Sequence, residues 1–206
     1  MNITISRQYA AGSSEVARRV ADQLGWTVLD DELIDEVAER SGLSREEVEE
    51  LEERIPTFIE RVAQTNALAF PDLMVGPAEM VAEPEQAKLA RVTRSVIEEL
   101  GQRSRLVMVG RAAAAVLGRR SDALHVKLVA SREWRIQRAI ARLELPEPKA
   151  AQYVDDKDRN RLHYHREFYA RDWADPVNYH LTLNTERLGF DVAASIVVGA
   201  ARALGW

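Results

Sequence analysis

Apolar positions along the chain switch between two spacings, and the switches predict an alternation of strands and helices. Ile3-Thr4-Ile5-Ser6-Arg7 is a short apolar strand, followed by a small-residue turn and a helix whose buried face is Val16, Val20 and Leu24. Gly25 ends that helix, and Trp26 to Leu29 forms a second strand closed by Asp30-Asp31. Leu33, Ile34, Val37 and Ala38 mark the next helix, stopped by Ser41-Gly42. Ser44 and Glu47 have the spacing of a capping box that opens an acidic helix reaching Arg54. Leu89, Val92, Val96, Ile97 and Leu100 line one side of a helix over 85–100. The continuous apolar run 105–109 is that of a central parallel strand. A short helix over 112–117, a strand over 123–129 and a long helix from Ser131 to Leu145 come next. After Pro146-Glu147-Pro148 an arginine-rich helix covers 149–169, then a turn at 172–176, a fifth strand over 179–183 and a last helix over 191–204. This order predicts an α/β fold with a parallel sheet and helices on both sides.

One stretch breaks the pattern. Phe58, Ile59, Val62, Leu68 and Phe70 suggest a helix, and Pro71, Gly76, Pro77 and Pro84 then punctuate a loop. Apolar residues in so irregular a segment suit either a lid or a contact with a second subunit, and the second reading is preferred: a homodimer through 56–84. The 206 residues suit a single domain carrying 44–84 as an insertion. A 46% hydrophobic and 30% charged composition is that of a globular protein. No apolar run approaches the ~18 residues of a membrane span. A strand beginning at once, without a basic leader, predicts no secretory signal. The absence of Cys removes disulfides and thiolate metal sites and suits a cytoplasmic location. A net charge of -5 argues against a nucleic-acid partner. Lysine occurs only at positions 88, 127, 149 and 157, so most basic groups are arginines, whose planar forks suit bidentate phosphate binding.

The candidate chemistry sits at strand ends. A strand feeding a tight turn that opens into a helix aims unpaired N–H groups and a helix dipole at the turn, which suits a phosphate. Aligned on Gly12 and Ser14, the turn carries half of the phosphate-loop signature, with Arg7 for its first glycine and Ser13 for its lysine. The same stretch equally suits a buried strand followed by Ser13 or Ser14 as a helix N-cap. The other strand ends tip the balance. They carry Asp30-Asp31, Gly110-Arg111, Ser131 with Arg132 and Arg135, and Asn184-Thr185. In a parallel sheet, ligands bind beyond the carboxyl ends of the strands, so this convergence favours a phosphate site. The four histidines lack metal-ligand company, and His163 and His165 would not share a helix face. Trp134 and Trp173 suit core or lid packing, and no nucleophile elbow is present.

These residues resemble the cytidylate kinase-like branch of the nucleoside monophosphate kinases, over nearly the whole chain except 44–84. Ile5-Ser6-Arg7-Gln8-Tyr9-Ala10-Ala11-Gly12-Ser13-Ser14 resembles that branch's own lysine-less loop. Val28 to Asp31 resembles the acceptor-site Leu-Asp, and Gly110-Arg111 the Gly-Arg-Asp motif, with Ala112 for its Asp. Ala130-Ser131 through Arg135 resembles the helix start before the lid, and Asp155 to Arg161 the lid motif, with Val154 where an arginine is usual. Asn184-Thr185 resembles the Asp-Thr after the last strand, and His180 stands where Asp is usual.

The resemblance implies a P-loop kinase-like three-layer fold with five parallel strands, a helical insertion and a lid over 146–172. It implies ATP with Mg²⁺ as donor and CMP or dCMP as acceptor. Gly12, Ser13 and Ser14 would hold the ATP phosphates, with Ser14 also facing Mg²⁺. Asp30, Arg111, Arg135, Asp158 and Arg161 would hold the acceptor, Asp158 at the sugar and the arginines at the phosphate. Lys157 and Arg161 would close over the transferred group, with Arg7 supplying the charge that the loop lysine normally brings. Two other classes fit the same residues: a nucleotide-binding module without catalysis, and an interaction protein that uses the apolar 56–84 stretch.

Overall fold

The computed structural model describes residues 1–52 and 84–206. The 56–84 contact surface, the homodimer expected through it and the tail of the acidic helix at Glu53 and Arg54 lie outside the described residues. Chain order is β1 (Asn2–Arg7), α1 (Ser13–Leu24), β2 (Thr27–Leu29), α2 (Asp31–Ser41), α3 (Arg45–Glu52), α4 (Glu85–Gln102), β3 (Leu106–Val109), α5 (Ala113–Val116), β4 (Ala123–Val129), α6 (Arg132–Leu143), α7 (Glu147–Tyr169), β5 (Leu181–Asn184) and α8 (Thr185–Ala203). The five strands form one parallel sheet in the order β2-β3-β1-β4-β5.

Each face of the sheet has its own core. Ile3 and Ile5 join Val107, Val109, Leu124, Val126 and Leu128 beneath α1 and α8. On the other face Leu106, Met108 and Ala123 meet Leu33, Val37, Val48, Leu89 and Ile97 from α2, α3 and α4. A third, smaller cluster of Ile136, Ala139, Ala150 and Val154 knits α6 to α7 as a helical hairpin, with Tyr9 packed against it. Val154 is fully buried in that seam, so the position where the resemblance led one to look for an arginine serves hairpin packing.

The predicted caps hold in one case and move in two. The Ser44 hydroxyl accepts from Glu47 N–H at 3.2 Å while Glu47 accepts from Ser44 N–H at 2.7 Å, which completes the capping box. At α1 the N-cap is Gly12, in the left-handed region at φ 87°, and Ser13 and Ser14 are already helical. Removing the side chain from the cap frees both serines for other partners. At the far end α8 begins at Thr185, six residues ahead of the predicted start, with Asn184 capping through Arg187 N–H at 3.1 Å. Gly189 then breaks the helix at φ 72°, ψ 165°, a backbone state only glycine enters readily. The apolar period is interrupted there, which hid the first turn from a periodicity reading.

Candidate functional site

Beyond the carboxyl ends of β1, β2 and β3 lies a cavity of about 780 Å³. Gly12, Ser13 and Ser14 form one wall, Asp30 and Asp31 another, and Gly110 and Arg111 a third, with Lys157 and Arg161 reaching in from α7. Arg7 stands among them. Eight of the residues expected from sequence at a site (Arg7, Gly12, Ser13, Ser14, Asp30, Arg111, Lys157 and Arg161) therefore share one cavity.

The turn after β1 owes its shape to side chains that take its carbonyls. Arg161 donates to Arg7 O at 3.4 Å, Arg135 to Tyr9 O at 3.3 Å, Arg138 to Ala10 O at 3.0 Å, and the Thr185 hydroxyl to Ala11 O at 2.8 Å. With these acceptors held from outside, the N–H groups of the first turn of α1 face the cavity end, where the helix dipole adds positive charge. Backbone conformation, rather than a capping side chain, builds the anion-binding element.

Arg135 and Asp158, expected at the acceptor, face each other in this structure. They form an ion pair at 2.7 Å, with side chains 6% and 17% exposed, and neither lines the cavity. Asp158 also accepts from Tyr9 N–H at 2.7 Å. The pair thus fastens α6 and α7 to the turn after β1. Arginines absent from the sequence expectation take the cavity position instead: Arg138 and Arg142 line it from α6. They follow Arg135 at i+3 and i+7, a helical stripe that the spacing alone could have assigned to one face. Arg138 lies over the edge-on rings of Trp134 and Phe190, 4.9 Å from the centre of each, and pairs with Glu15.

Electrostatically the cavity suits an anion. Burial and the neighbouring guanidinium groups of Arg161, Arg111 and Arg142 push Arg7 down to about 9, against the opposing pull of Asp30. Arginine does not surrender its proton in proteins. The downward push reflects lost solvation first and the crowding of like charges second. Burial lowers Arg111 and Arg161 as well, and burial with Arg161 lowers Lys157. Arg111 meets Glu49 of α3 at 3.8 Å.

The turn after β3 is contorted to match. Gly110, Arg111 and Ala112 have φ of 75°, 49° and 56° in succession. Two non-glycine residues held in that region store strain, which proteins tolerate mainly where function needs it. A side chain at Gly110 would overlap the Arg7 guanidinium, so the glycine gives Arg7 its seat.

Ser14 donates its hydroxyl to Asp30 at 2.7 Å, at the first turn of α1. A hydroxyl oxygen and a carboxylate at the edge of a cationic cavity suit Mg²⁺, which keeps several waters and takes few protein ligands. Among the described residues there is no group of three or more acidic or imidazole side chains arranged for a metal. No helix among them is long and apolar enough to cross a membrane.

Comparison with known proteins fits this geometry. The Cytidylate kinase-like family matches residues 2–187. An uncharacterized protein from Eubacterium ventriosum superposes with a TM-score of 0.68 at 16% identity, over 98% of each chain. Shikimate kinase from Acinetobacter baumannii in complex with shikimate gives 0.53 at 17% identity, over 98% of this chain and 93% of that one. A gluconokinase from Sinorhizobium meliloti gives 0.52 at 13% identity, over 100% and 97%. At these identities the likeness is one of fold. A uronate isomerase from Corynebacterium glutamicum is 30% identical over 125 residues, 59% of this chain and 24% of that protein, so the chain spans about a quarter of its length.

Proposed function

The chain belongs to the cytidylate kinase-like family, and from that premise we propose that it transfers a phosphoryl group from ATP to a nucleoside monophosphate, with CMP or dCMP as acceptor. The observation that carries the reading is Arg7, a half-buried cation that shares the cavity with Arg111 and Arg161 and packs its guanidinium against Gly110 in the turn after β3. Phosphoryl transfer asks for aligned phosphates and fixed positive charge on the oxygens that gain charge in the transition state. The first turn of α1 would align the donor phosphates through Ser13 and Ser14 N–H groups. Arg7 would supply from the strand the charge that a loop lysine brings elsewhere. Arg111 and Arg161 would bind the acceptor phosphate, and Lys157 would lie over the group in transit. Mg²⁺, held by Ser14 and Asp30, would neutralise donor-phosphate charge when bound. The helical hairpin would exclude water, the competing acceptor.

Two measurements test the reading. A coupled assay with Mg-ATP and a panel of nucleoside monophosphates is expected to show transfer to CMP or dCMP. Each ligand alone should raise the unfolding temperature, since it binds only the native state, and ATP with CMP should raise it further than the sum, because a donor and acceptor that share one cavity raise each other's affinity. A shift with ATP alone and no transfer would mark a nucleotide-binding module without catalysis. No shift with either would overturn the proposal.

Gly110→Ala provides an independent check. The added methyl meets the Arg7 guanidinium and sits at φ 75°. The variant is expected to lose about 1 kcal/mol of stability from the backbone. Displacing Arg7 should reduce transfer by roughly 10²-fold, the scale of one misplaced electrostatic group. Wild-type kcat in a folded G110A protein would show that Arg7's seat is irrelevant.

A further inference from the structure

Central strands of a parallel sheet are usually apolar on both faces, yet β1 and β4 carry a buried polar ladder. Asn2, Thr4 and Ser6 of β1 lie beside Ala123, His125 and Lys127 of β4 on one face. Asn2 donates to Gly101 O at 2.8 Å and to Arg103 O at 3.0 Å, and Thr4 bonds His125 at 2.8 Å. The ladder ends at the cavity with Ser6 and Lys127. The Lys127 side chain is buried, its ammonium donates to Trp173 O, and it lies 3.9 Å from the Trp173 ring and 5.0 Å from that of Tyr179. A carbonyl and two aromatic faces thus replace water around the charge. Trp173 in turn donates its indole N–H to Ser6 at 2.9 Å, and the Tyr179 hydroxyl donates to Trp173 O at 3.0 Å. Ser6, Trp173 and His165 all line the cavity.

We propose that Lys127 is a positioning residue: it holds Trp173, and Trp173 holds Ser6, the residue that precedes Arg7 on β1. The contacts stand by themselves, while their consequence for catalysis rests on the phosphoryl-transfer reading above. Trp173 lies just past the end of α7, so one ammonium ties that connection to the end of β1, where Arg7 follows Ser6. A hydrophobic residue at 127 would fill the space but leave the Trp173 carbonyl with the Tyr179 hydroxyl alone as donor. Four groups bear on Lys127 from the elements packed over it: Asp158 and His165 on α7, and Asp172 and Tyr179 on the connection to β5. Burial pushes His165 down to about 3, aided by Lys127, and burial raises Tyr179. Lys127 itself is lowered by burial to about 8. The anchor should therefore be intact at neutral pH and lost as pH rises through that value.

The test compares wild type, Lys127→Met, Lys127→Arg, Trp173→Phe and the K127M/W173F double variant by circular dichroism, tryptophan emission from pH 6.5 to 9.5 and steady-state kinetics with Mg-ATP and CMP. Wild-type emission is expected to change with a midpoint near about 8 and to be flat in K127M and W173F. Folded K127M should lose about tenfold in kcat with each KM within about threefold, K127R should recover part, and the double variant should be no worse than K127M. Wild-type kcat in folded K127M, or losses that simply add in the double variant, would overturn the proposal. If K127M does not fold, K127R and W173F decide it on the same readouts. If the wild-type chain phosphorylates no nucleotide, the functional reading fails, and the emission titration alone decides the anchor: a pH-independent wild-type signal sinks it.

Discussion

Replacing Arg7 with alanine is expected to lower kcat for phosphoryl transfer by roughly 10²–10³-fold, the usual loss for one preorganised electrostatic group, without lowering the melting temperature. The two halves of that expectation have the same cause. Arg7 is half-buried beside three other guanidinium groups, and among the described residues Asp30 is the opposing charge that acts on it most. A cation in that position is a burden on the folded state, because desolvation and like-charge repulsion both oppose it. Its removal should leave stability unchanged or slightly higher, whereas loss of a structural arginine would destabilise. The same cation becomes favourable once phosphates enter the cavity. Arg7→Lys should retain part of the activity, since an ammonium there would resemble the missing loop lysine in charge, though without a fork. The check is a coupled assay at saturating Mg-ATP and CMP alongside thermal unfolding. An active R7A enzyme, or an R7A protein that melts well below wild type, would move the essential charge elsewhere.

How much of this could be seen in the sequence depends on the kind of signal. The five parallel strands were legible because each is a short apolar run bounded by turn residues, and period alone separates them from the helices. The Ser44–Glu47 capping box was legible because it is local, with both bonds closing within four residues. The gathering of Arg7, Asp30 and Arg111 followed from topology, since a parallel sheet brings every strand end to one edge. What remained hidden was the direction of side chains across elements. Nothing in the linear order tells whether Arg135 enters the cavity or turns back onto Asp158, because both positions lie on the inner faces of their helices. Lys127 was hidden for a related reason: within an apolar strand its alternation with Val126 and Leu128 shows which face it takes, but not that Trp173, 46 residues later, supplies its partner.

Asp158→Ala is the substitution that most sharply separates the two descriptions of this site. If Asp158 bound the acceptor sugar, as the family resemblance implied, its loss would raise KM for CMP and leave the folded state alone. The geometry predicts the reverse emphasis. Asp158 neutralises Arg135, which is itself almost wholly buried, and it also accepts Tyr9 N–H in the turn after β1. Its removal leaves a buried guanidinium unpaired, a change that costs about 3–5 kcal/mol, and should lower the melting temperature by roughly 10 °C in a chain of this size. Arg135→Met in the same protein should restore part of that loss, because the more deeply buried of the two stranded charges goes with it, Arg161 at 3.5 Å from Asp158 being the other. The double variant would still lack the tie to Tyr9, so its donor phosphates should bind less well even where stability has returned. Unfolding curves of the two variants, read against KM for ATP and for CMP, decide the matter: an unchanged melting temperature with a raised KM for CMP alone would return Asp158 to the acceptor.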